Sequence, residues 1–433
     1  MIDVDIIDAI PFEQRLAGLF VIGATLASFM NLAIYRLAWD QRLISPWSPP
    51  PSSAGPRTWF DRLPIFGWLS MRREVAVHGQ GFWIRPMLLE LGVGFGLAAL
   101  YWWEVHQKAL IPTPWLGPLA DLSLAYQLTQ GLLYGMFLSH AILIALMLVA
   151  SVIDLDEKTI PDGITVPGAL LGLLFAAAMP WSLLPASSVV DLAFENQSIE
   201  IMHVASPNAW PDSILGNTTA GSLLIALSCY TFWCFLLLPR MWYGRRGIKK
   251  ALQFFFAKLA REPGSRIVLG MWIVGSIGIA LMWSLDETRW AALTSSLIGM
   301  AVGGGTIWVV RLVGYAVLRR EAMGFGDVTL MSMIGAFVGW QAATLIFFMA
   351  PGVALLFGII NLLLKSDNEI PYGPFLCAAT LAVLLGWPDI WHLTEPYFSL
   401  GIWIPILLGL CLGLLIVLLM GLQLIKRIFL RRT

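Results

Sequence analysis

"MGFGDVTLMSMIGAFVGW", residues 323–340, sets an aspartate at the border of apolar sequence. Asp327 follows one long apolar stretch, and another begins at Leu330. A charged side chain at a bilayer centre costs about 2.5–3.5 kcal/mol on insertion scales, so an acid at such a border reads as functional by default. Outward from it, the 433-residue chain is 58% hydrophobic and 12% charged. Soluble domains carry about 25% charged residues. Apolar runs near the roughly 20 residues that cross a bilayer recur along the chain. The composition predicts an all-α polytopic membrane protein with its backbone polar groups satisfied inside helices.

Apolar patterning predicts eleven transmembrane helices, near 16–37, 86–104, 129–153, 164–184, 213–238, 267–285, 291–318, 329–347, 349–364, 374–391 and 400–425. If these alternate, 24 of the 27 Lys and Arg residues fall on one side. By the positive-inside rule that side is the cytoplasm, with the N-terminus outside and the C-terminus inside. A cytoplasmic loop, 38–85, then follows the first helix, beginning with the irregular "SPWSPPPSSAGP" (45–56). Residues 186–212 read as a polar outer segment without clear periodicity. Residues 240–266 read as a cationic amphipathic helix, for which attraction to anionic lipid is sufficient cause. The formal net charge is zero and gives no sign of a nucleic-acid partner. The four cysteines are scattered through apolar segments without ligand spacing. Acids rather than a basic segment precede the first apolar run, so no cleavable signal peptide is expected.

Two acidic clusters sit at cytoplasmic ends of spans in this topology. One is "SVIDLDEKTIPDGIT" (151–165), with Asp154, Asp156 and Asp162; the other is Gly324-Phe325-Gly326-Asp327. Two carboxylates held close in a low dielectric share a proton and titrate as a unit. The ionised member can deprotonate a water while the protonated member donates to a scissile carbonyl. The glycines permit unusual backbone angles and close approach. The acids alone leave other readings open: helix caps or snorkelling charges, an ion or proton path in a transporter, or a catalytically inactive scaffold.

Further segments narrow this choice. "SFMNLAIYRL" (28–37), "DRLPIFGWL" (61–69), "RPMLLELGVG" (85–94), the two aspartate motifs and "IPYGPFLCAAT" (370–380) occur in this order. In that order they resemble the prepilin peptidase family of GxGD aspartic proteases, over about two thirds of the chain. The resemblance implies Asp154 and Asp327 as the catalytic pair, Asp156 and Asp162 as accessory acids, and Gly324 and Gly326 as glycines that shape the site. It implies an enzyme of the bacterial inner membrane, its active site facing the cytoplasm. Such an enzyme removes the basic leader from type IV prepilins or type II secretion pseudopilins. Members of the family also N-methylate the new terminus from S-adenosylmethionine. Proteolysis itself needs no cofactor.

The chain departs from the family pattern in three places. Loop 38–85 has no cysteine, where bifunctional members carry two C-x-x-C pairs, and its one histidine, His78, reads as solvated; no zinc is expected. Thr329 stands where lysine is usual. Residues 186–286 look like an insertion of an outer segment, two helices and the basic loop. The remaining divisions are 1–37, the first helix; 86–185, helices with the first aspartate motif; 287–399, the core with the GxGD motif; and 400–433, an added helix.

Overall fold

A chain that cannot expose backbone N–H and C=O groups to lipid folds its apolar runs as helices. The computed structural model describes residues 9–42, 44–51, 55–111, 123–191, 196–208, 219–238, 261–318, 323–363, 371–401 and 403–430, with single residues at 7, 253, 255, 257 and 259. The long helices are α1 (Phe12–Leu37), α2 (Ile84–Tyr101), α3 (Ser123–Glu157), α4 (Asp162–Ala178), α5 (Ala220–Leu236) and α6 (Pro263–Leu285). They continue as α7 (Glu287–Leu318), α8 (Phe325–Leu363), α9 (Gly373–Leu385), α10 (Trp387–Phe398) and α11 (Trp403–Leu430). Six of the helical stretches are long and apolar enough to cross a membrane, and α9 with α10, bent by 95°, can make a seventh. Three others, α4, α5 and the first part of α11, are apolar but shorter.

Three expectations change. The outer segment, read as lacking periodicity, forms a two-stranded hairpin of β1 (Pro185–Asp191) and β2 (Asn196–Ile201). The spans proposed at 329–347 and 349–364 break instead at Gly339, whose φ of 79° lies in the left-handed region that glycine tolerates. The span proposed at 374–391 is α9 and α10, turned at Gly386. Most of the basic stretch 240–266 lies outside the described residues.

The chain divides into two compact units. The first comprises residues 1–168, 184–200 and 345–393. In it α1 packs closely on α2: a Cβ on Gly23 would lie 2.8 Å from the Val93 carbonyl oxygen, and one on Gly94 2.9 Å from the Phe20 ring. Without hydrophobic driving force in lipid, such small residues let helices associate through close packing.

The second unit comprises 169–183, 201–344 and 394–433. Here glycines join α7 to the first part of α8. A Cβ on Gly299 would strike the carbonyl oxygen of Gly335, and one on Gly303 would lie 2.5 Å from that of Met331. The Ser296 hydroxyl donates to the Ala336 carbonyl in the same seam. Beyond the break, Trp340 Nε1–H donates to the Val204 carbonyl at 2.8 Å and Gln341 Nε2 to that of His203 at 2.7 Å. These bonds tether the segment that follows β2.

Candidate active site

Asp154 lies in the last turn of α3. The backbone N–H of Lys158 closes that turn on the Asp154 carbonyl at 2.8 Å, with Lys158 itself at φ 55°. The Asp154 side chain is 4% exposed, although it ends a helix. The backbone N–H of Gly373, at the start of α9, interacts with its carboxylate. A Cβ on Gly373 would lie 2.5 Å from Oδ2. A larger residue there would have to displace the Asp154 carboxylate or the Ile160 side chain, and this contact was not apparent from the sequence motifs alone. Oδ2 is buried with no hydrogen-bond partner among the described residues. A buried, incompletely satisfied carboxylate is costly, and such a group marks a candidate for function.

The other two aspartates of this motif, Asp156 and Asp162, sit in different surroundings. Asp156 is exposed and accepts both hydrogen bonds of a salt bridge from Arg85 Nη1, at 2.8 and 2.9 Å. Asp162 is the exposed first residue of α4, where an acid favours the helix dipole, rather than the residue before it. Glu157, not singled out from sequence, accepts the backbone N–H groups of Trp39 and Asp40 at 2.6 and 2.9 Å and ties the end of α1 to that of α3.

Asp327 belongs to the second unit, in the first turn of α8, and is 7% exposed. The Gly324 backbone N–H donates to its Oδ2 at 3.2 Å. Gly326 lends its carbonyl to the Thr329 hydroxyl at 3.1 Å. Thr329 is 3% exposed, so the position where lysine is usual is occupied by a side chain satisfied within its own turn. The Arg311 guanidinium lies 5.6 Å from the centre of the Phe325 ring and brings a cation to the motif.

The segments that precede both motifs converge on a third acid. Glu90, fully buried in α2, accepts from the Ser28 hydroxyl at 2.8 Å, Asn31 Nδ2 at 3.3 Å, Trp68 Nε1 at 2.8 Å and the Ile65 backbone N–H. Ile65 sits at φ 67°, an outlying conformation for a β-branched residue, which that bond helps to hold. Residues 28–37, 61–69 and 85–94 thus meet on one carboxylate. Elsewhere in the loop Asp61 accepts from Thr58 N–H at 2.7 Å, Ser70 Oγ at 2.6 Å and Arg73 Nη2 at 2.7 Å. Burial alone would raise its pKa, but these bonds hold it down at about 2. Arg57 makes a two-pronged bond to buried Glu74, which also faces His78 at 3.5 Å; His78 is paired rather than solvated. Among the described residues, no group of three or more His, Cys, Asp and Glu is placed to hold a metal.

A family model described as the type IV leader peptidase family matches residues 141–194 and 265–359. A second, described as the bacterial peptidase A24 N-terminal domain, matches 21–104. Together they cover more than half of the chain and both aspartate motifs. The chain belongs to the type IV leader peptidase family. Within this family member, the match passes over residues 195–264, inside the stretch read as an insertion. It is 36% identical over 112 residues to a prepilin leader peptidase/N-methyltransferase of Pseudomonas aeruginosa, 25% of this chain and 38% of that protein. It is 33% identical over 124 residues to the protein of the same name from Aeromonas salmonicida, 25% of this chain and 42% of that one. A leader peptidase HopD of Escherichia coli is 34% identical over 103 residues, 23% of this chain and 64% of that protein. The chain spans about two fifths of the length of the first two relatives. No solved structure matches it.

Proposed function

We propose that this chain is an aspartic endopeptidase of a bacterial cytoplasmic membrane, with Asp154 and Asp327 as its catalytic pair. Its substrates on this reading are type IV prepilins or type II secretion pseudopilins, cut behind their basic leader. One observation carries the reading. Each motif aspartate is buried in an end turn of an apolar helix against a glycine backbone, in a chain of this family. The relatives' names, which refer to prepilin leaders, support the substrate class.

On this proposal one carboxylate is ionised and the other protonated when substrate binds. The ionised group takes a proton from water as the water oxygen attacks the scissile carbonyl carbon. The protonated group gives its proton to the carbonyl oxygen, forming a tetrahedral diol. Collapse breaks the C–N bond, the leaving amine takes a proton, and the pair returns to one shared proton. Gly373 and Gly324 orient the two acids through their backbones.

Methyl transfer is not part of this proposal. A sulfonium donor such as S-adenosylmethionine needs acidic or aromatic contacts in a preformed pocket. Asp61 and Glu74 are already engaged inside the loop. The test is co-expression with a pilin-like precursor and mass spectrometry of the product. Wild type is expected to remove the leader and leave an unmethylated terminus. Asp154→Asn and Asp327→Asn are each expected to abolish cleavage while the protein still inserts. Substantial cleavage by either variant sinks the paired mechanism. An enzyme-dependent methyl mark would show that the loop holds a donor after all.

A further inference from the structure

A groove of about 430 Å³ opens in the first unit, walled by four helices and lined almost wholly by apolar side chains. Leu26 of α1, Gly92 and Gly96 of α2, Ala141, Ala145 and Leu148 of α3, and Leu381 of α9 face it. Two features say what it suits. First, Gly92 and Gly96 are not spent on the chain's own packing: a Cβ on either would meet nothing within 4 Å, whereas Gly23 and Gly94 are closed upon by neighbours. Small residues four apart on α2, with Ala141 and Ala145 four apart on α3, admit the backbone of another helix.

Second, two of the groove's walls lead to one of the proposed catalytic acids. Helices α3 and α9 line it and meet at Asp154 and Gly373. Leu148 precedes Asp154 by six residues. That is about 9 Å along a helix axis. An extended chain covers this distance in about three residues.

We propose that this groove seats the apolar helix of the substrate, the part that follows the scissile bond, and so selects precursors by their membrane helix as well as their leader. This rests on the peptidase reading and deepens it. An extended stretch of about three residues would join the seated helix to the bond at Asp154. The uncharged lining suits a helix and disfavours the basic leader, which is left on the polar side of Asp154.

The test compares two substrates in reconstituted vesicles. One is a full-length pilin-like precursor; the other is a short peptide with the leader and cleavage site but no helix. Gly92→Leu and Gly96→Leu are chosen because a Cβ at either position meets nothing within 4 Å. Each is expected to lower the preference for full-length over short substrate about tenfold, read as kcat/KM. In Asp154→Asn enzyme, a photo-crosslinking residue at Ala145 is expected to label the precursor's helix. An unchanged preference, an equal loss on both substrates, or labelling of phospholipid alone overturns the proposal. If wild type cuts neither substrate, the peptidase reading falls and this inference with it.

Discussion

Replacing Glu90 by alanine would strand Trp68 Nε1–H and the Ile65 N–H in a buried site and remove a partner from Ser28 and Asn31. Each buried donor left unmade costs about 1–3 kcal/mol, so a loss on the order of 3 kcal/mol is expected. Thermal melting in detergent should show a lower Tm, and protease should cut between residues 38 and 85 sooner than in wild type. A melt and digestion pattern matching wild type would mean that the carboxylate does not organise the loop. At this scale the sequence was informative where an acid breaks apolar surroundings. Asp154 and Asp327 stood out for that reason. Glu90 carried the same signal inside "RPMLLELGVG" and was quoted only as part of a segment. Gly373 could not be linked to Asp154, because nothing periodic connects residues more than two hundred positions apart.

Among the elements, the seam between α7 and α8 fixes the helix whose first turn carries Asp327. Its tight points meet backbone atoms, which cannot rotate away as a long side chain would. Gly335→Val is therefore expected to force the helices apart, costing several kcal/mol in line with overpacked cores and lowering yield and cleavage together. Gly270→Ala on α6, where a Cβ meets nothing, is the matched control and should behave as wild type. Equal yields and activities for the two variants would contradict the seam. Helices were legible from apolar runs, yet their interruptions were not. Hydropathy is uniform across Gly339, so only the backbone angle shows the break. The hairpin escaped notice because "PASSVVD" has no alternating pattern to mark a half-buried strand.

For the molecule as a whole, the described helices supply six or seven clear crossings; the three shorter apolar helices bring these to ten, and eleven also requires α8 to cross once on each side of Gly339. The basic residues favour the larger, odd number, since alternation then gathers 24 of 27 on one side. Reporter fusions after residues 200, 255 and 432 should accordingly read outside, inside and inside. An outside reading at 255 would mean that α5 and α6 do not both cross. The convergence on Glu90 also bears on where this protein can be recombined with its relatives. A splice that exchanged residues 38–85 alone would import a loop whose anchor stays behind in the host's second helix. The natural unit of exchange runs from the first helix through the second, the extent of the 21–104 family match, because the loop's folding instructions are written on both of its flanks.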